Sequence, residues 1–185
     1  MNSGACLEPL ESVYGLSADW ADLQRTLNLD HGALLILVTA PAFGRPHALS
    51  LRRRPTGDYV LRVTRAAPDE FSPQVREGVI DLLTARLLLK LWAAITSRVQ
   101  MVESEAGTFD GKAYYFSAGR VTGYTANPRG GSILDRTIFA LGWLAKLVED
   151  PTREDPTDRR FIREELREAA ARTAAREPCV RAVAE

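Results

Sequence analysis

Arg129-Gly130-Gly131-Ser132 is the stretch whose residue types and spacing come nearest to a chemical task. Glycines let a backbone turn its N–H groups inward. The apolar run after Ser132 reads as a helix whose first donors lack partners, and Arg129 adds a full positive charge. Those are the parts of an anion site. Asp135, however, stands three residues after Ser132, as in a capping box that satisfies the same donors internally. The lysine and spacing of a phosphate loop are also missing. The helix cap is the leading reading. An enzyme or sensor binding a small anion or nucleotide at Arg129, Gly130, Gly131 and Ser132 is the alternative.

Other constellations point to less. His31 and His47 both lie beside turn signals, without the H-E-x-x-H spacing of a metalloprotease, and no G-x-S-x-G elbow accompanies them. Cys6 and Cys179 sit at opposite ends of the chain, with neither metal spacing nor a disulfide pattern, and read as free thiols. Carboxylate pairs such as Glu103 with Glu105 and Glu164 with Glu165 fall in loops or on solvent faces, where nothing desolvates one partner for acid–base work. The sequence therefore nominates no catalytic residue, no metal ligand and no cofactor.

The elements that would position such residues follow from composition and periodicity. A chain of 185 residues has the size of one ordinary domain and can bury a core without staples. Lys and Arg number 24, as do Asp and Glu, and this neutrality argues against a dedicated nucleic-acid surface. The N-terminal stretch lacks a signal-peptide pattern and the apolar runs are too short to span a bilayer, so a cytoplasmic protein is expected.

Ser17 is placed to cap a helix carrying Trp20, Leu23 and Leu27 at helical spacing, and Asp30-His31-Gly32 ends it. Ala33 to Ala40, nearly all apolar and followed by Pro41, reads as a strand buried on both faces. Ser72-Pro73 reads as the start of a long core helix reaching Met101, with Val75, Val79, Leu82, Leu83, Leu87, Leu91 and Ile95 in one stripe. After the Asp110-Gly111 turn signal, AYYFSA and VTGYTA alternate as a second hairpin. The segment Ser132 to Glu149 is then an amphipathic helix.

HALSLRRRPTGDYVLRVTR is a hairpin whose register can be argued. Placing Arg53 opposite Tyr59 sets Leu51 against Leu61 and Leu49 against Val63, which gathers the apolar side chains on one face. Ser50, Arg52, Arg62 and Thr64 then share the other face, with Arg54 in the loop. A basic face results, either a guard against sheet association or a docking surface for an acidic protein. From Pro151 the chain turns strongly charged and helix-forming, with Phe161, Ile162 and Leu166 in a narrow apolar seam. That helix either docks on its own domain or binds a partner, which leaves open a homodimer.

FDGKAYYF with its following glycine, the Asn-Pro-Arg-Gly-Gly-Ser step and the final helix resemble a pattern in small bacterial α+β proteins, some of them immunity-protein-like. The order helix, three strands, long helix, two strands, helix is also similar to that of class I type III secretion chaperones, although those are usually shorter and acidic. The resemblance implies a protein partner, a toxin or a secreted effector. The expectation is an α+β fold with a mainly antiparallel sheet of about five strands and two long helices packed on one face. Residues 1–150 would form the domain and residues 151–185 a charged C-terminal helical extension. The function expected is a non-enzymatic protein-binding module contacting its partner through Arg52, Arg54, Arg62, Phe161 and Leu166.

Overall fold

The computed structural model describes residues 7–10, 16–30, 32–67, 72–97, 111–119, 121–126, 128, 131–153 and 155–174. In chain order the elements are β1 (Glu8–Pro9), α1 (Leu16–Thr26), β2 (Leu35–Pro41), β3 (His47–Arg53), β4 (Tyr59–Arg65), β5 (Gln74–Ile80), α2 (Leu82–Thr96), β6 (Lys112–Ala118), β7 (Val121–Ala126), α3 (Ile133–Glu149), a 3-10 turn (Pro151–Arg153) and α4 (Pro156–Ala174). The fold is α+β as expected. Its sheet has six strands of six or seven residues, not five, and the two-residue β1 extends one edge. The order is β1-β7-β6-β2-β3-β4-β5, antiparallel throughout.

The first hairpin has the register argued from its alternation, with Arg53 opposite Tyr59, Leu51 opposite Leu61 and Leu49 opposite Val63. Strand β2 is central and buried from Leu35 to Thr39, as its continuous apolar run requires. Leu35 and Leu37, with Leu49, Leu51, Leu61, Val63 and Phe116, meet α2 and α3 in the main core. The indole N–H of Trp92 donates to the carbonyl of Ser117 at 2.9 Å, so the largest buried ring of α2 leaves no polar atom orphaned.

Ile36 and Val38, with Ala48, Tyr115 and Tyr124, build a second core on the opposite face under Trp20, Leu27 and Leu29. Helix α1 therefore covers the other side of the sheet, and the helices are not confined to one face. Trp20 stacks on Tyr115 at 5.6 Å, and Tyr115 meets Tyr124 at 5.5 Å. Burial, then the charge of Asp19, pushes the Tyr115 phenol up to about 12. Ser17 lies inside α1, which begins at Leu16, so it does not open the helix.

The helix expected from Pro73 is corrected in its first third. Gln74 to Ile80 is strand β5, paired with β4 along its whole length from Arg65 opposite Gln74 to Tyr59 opposite Ile80. The helix starts after Asp81, whose carboxylate accepts from the Thr84 amide at 3.0 Å and from the Thr84 hydroxyl at 2.7 Å. Two facts favour the strand: Asp81 is a strong N-cap, and Gly78 leaves room for α3 to lie close. A Cβ on Gly78 would come within 3.0 Å of Val148.

Candidate functional site

The Arg face changes character once β5 is a strand. Glu77, opposite Arg62 in the register, lies on that face. Arg52 reaches across β4 and donates from Nη2 to both carboxylate oxygens of Glu77 at 2.8 Å, while Nη2 of Arg54 lies 3.7 Å from the same group. Val60, the register partner of Arg52 on the intervening strand, is fully buried. The arginine stem acts here as apolar cover as well as charge. Of the three, only Arg62 has no ion pair among the described residues, and the Nε atoms of both Arg52 and Arg62 are buried without an acceptor. The expected open basic face is therefore corrected: two of its arginines converge on one carboxylate.

The anion candidate is filled from within. Ser132 Oγ accepts from the Asp135 amide at 3.2 Å, and Asp135 accepts from the Gly131 amide at 2.7 Å. Ser132 caps the helix as predicted, in a variant of the capping box in which Asp135 reaches back to the Gly131 amide, a donor that an anion would otherwise take. Gly131 adopts φ of 73°, a conformation that glycine reaches without strain. Arg129 and Gly130 lie outside the described residues, as do His31, Cys6, Cys179, Glu103 and Glu105.

Helix α4 packs on α2 and α3 and on its own domain's core. Leu166 is fully buried there with Ile162 and Ala169, which rules out a partner-facing role for it. Of the two alternatives left open for this helix, docking on its own domain is the one observed, with α2 and α3 beneath it supplying the apolar area. Ion pairs fix the helix at two points. Nη2 of Arg163 lies 3.1 Å from the Asp81 carboxylate at the cap of α2, and Arg136 of α3 bonds Glu165 and Glu168 at 2.9 Å each. Thr84 and Arg163 outweigh the burial that opposes ionisation of Asp81, and hold its carboxyl down to about 2.

Phe161 stays at the surface. It meets Phe139 and Trp143 of α3 edge-on, each at 5.9 Å between ring centres, and the Lys146 ammonium lies 4.5 Å over the Trp143 ring. Phe139 is 50% exposed and Phe161 36%, so the three rings form an apolar ridge in water. Phe161 thus parts from Ile162 and Leu166 of the same seam, which are buried, and its neighbours Phe139 and Trp143 were not legible because the pattern of α3 shows only its buried stripe.

Two clefts accompany these surfaces. One, of about 200 Å³, lies among Val79, Ile80, Leu144, Val148, Pro151 and Arg159, where β5 ends beside α3 and α4. The other, of about 220 Å³, is lined by Arg45, Pro46, His47, Arg65, Ala66 and Gln74 at one end of β3, β4 and β5. There Arg65 makes two parallel bonds to Glu149 at the end of α3, one from Nε to Oε1 and one of 3.0 Å from Nη2 to Oε2. Burial pushes the His47 imidazole below its ordinary value, and Arg65 and Lys112 add to this against Glu149. The hairpin register already set His47 opposite Arg65, so that juxtaposition was legible in the sequence.

No described helix is long and apolar enough to cross a membrane, and no group of His, Cys, Asp or Glu among the described residues could hold a metal ion. Comparison with known proteins finds no matching family model, no matching curated protein and no matching solved structure.

Proposed function

We propose that this chain is a bacterial, non-enzymatic protein-binding module of the immunity-like or chaperone-like kind, whose partner is a toxin or a secreted effector. The observation that carries the reading is the ridge of Phe139, Trp143 and Phe161 on α3 and α4. Exposed aromatic clusters are costly in water, and aromatic residues dominate the energetics of protein interfaces. The ridge rests on two helices tied to each other through Arg136, Glu165 and Glu168, so it is offered preformed and loses little entropy on binding. Lys146 over Trp143 and the Arg160–Glu164 pair on α4 supply a polar rim.

The test is a photo-crosslinking residue at Phe139 in the chain's own cell at physiological salt, with Arg25 on α1 as the control position. A single dominant adduct from Phe139, lost on Trp143→Ala with Phe161→Ala, supports the reading. Equal adducts from both positions, or none, would overturn it. An adduct with a second copy of the chain would replace the toxin or effector by a homodimer.

A further inference from the structure

The cleft around His47 is unrelated to the aromatic ridge, and its chemistry is distinct. Its walls come from residues far apart in sequence that antiparallel pairing brings into line. His47 begins β3, Arg65 ends β4 opposite it, and Gln74 begins β5 opposite Arg65. Arg45 joins them from the segment before β3.

Several donors lining this cleft are left over. Glu149 engages Nε and Nη2 of Arg65, which aims the guanidinium and leaves Nη1 without an acceptor among the described residues. Arg45 is exposed and has neither a hydrogen bond nor an ion pair among them. Two guanidiniums against one carboxylate give the lining a net positive charge, and Lys112 is close enough for its charge to act on His47. Planar guanidinium forks match the oxygen edges of a phosphate, and a neutral imidazole beside an arriving anion can take up a proton as the anion binds. The Gln74 side chain adds two amide donors. At about 220 Å³ the cleft is smaller than the roughly 300–1,000 Å³ of pockets for drug-sized ligands, so the ligand is small.

We infer that Arg45, His47, Arg65 and Gln74 form a binding site for the phosphate group of a small phosphorylated molecule, with Glu149 orienting Arg65. His47 is a ligand contact and a proton acceptor on binding. Glu149 is a positioning residue.

The full chain is titrated with inorganic phosphate and with glycerol phosphate at constant ionic strength, balanced with sodium chloride. Melting temperature and the proton NMR titration of His47 are followed, the resonance being assigned by its loss in His47→Gln. Phosphate at millimolar concentration raises the melting temperature and shifts the His47 titration midpoint upward. Arg45→Ala weakens the effect at least tenfold, whereas Arg25→Ala on α1 leaves it unchanged. Equal stabilisation by chloride, an unmoved His47 midpoint, or full binding by Arg45→Ala would each overturn the site. Gln74→Ala, also at an exposed position, is a second variant should Arg45→Ala prove poorly folded.

Discussion

Arg163 of α4 bonds the carboxylate that caps α2, at 3.1 Å from Asp81, so one acidic side chain both starts a helix and fastens another over it. Asp81→Ala removes both roles and is expected to cost about 1–3 kcal/mol, from a lost cap and an uncompensated guanidinium. Asp81→Ser keeps the cap and loses the ion pair, so it should fall between Ala and wild type in urea denaturation. Equal losses for Ala and Ser would assign the whole effect to the pair with Arg163.

Two acid-sensitive steps are expected in the stability profile. His47 has a folded value below its ordinary 6.5, so the folded state binds its proton less readily than the unfolded chain. Its contribution is present above about pH 6.5 and is lost as pH falls through the lowered folded value. Asp81, held down to about 2 against an ordinary 3.8, contributes above about pH 4 and loses that contribution on approach to pH 2. Denaturant midpoints measured against pH should show the upper step vanish in His47→Gln and the lower step shrink in Asp81→Ala.

Leu166 and Phe161 stand five residues apart on α4, on different faces, and should behave in opposite ways. Leu166→Ala opens a cavity in the main core and is expected to destabilise the fold by about 2–5 kcal/mol. Phe161→Ala should cost far less stability while weakening partner capture. Comparable destabilisation by both would mean that the ridge is a structural part of the helix contact.

Gly78→Ala is expected to destabilise by about 1–3 kcal/mol, because the new methyl meets the Val148 side chain at 3.0 Å and Val148 must give way. Restoring room with Val148→Ala should make the double mutant less costly than the sum of the two single changes. Strict additivity in thermal or urea unfolding would show that the two positions do not compete for space.

Much of the sheet was legible because alternation leaves one register for a strand pair: shifting Leu49 and Leu51 by one residue would face them with Arg62 and Thr64. The stretch Gln74 to Ile80 was not, since Val75 and Val79 share a strand face and are also four apart, as on a helix. Only the cap at Asp81 and the close approach at Gly78 separate the two readings. That one ambiguity propagated. With Glu77 assigned to a helix, Arg52 and Arg54 had no carboxylate and looked like an open basic surface. The burial of Leu166 was not legible for a related reason, because the depth at which a helix sits depends on its neighbours and not on its own pattern.

The groove over α2 and α3 is closed by residues that come late in the chain, Ile162, Leu166 and Ala169. During synthesis the sheet and the two underlying helices emerge with that groove open to water. An apolar strip between two helices invites wrong partners at that moment. Stalling translation before α4 should leave a chain that chaperones hold, and rapid addition of the last turns of α4 becomes a matter of quality control as much as of stability.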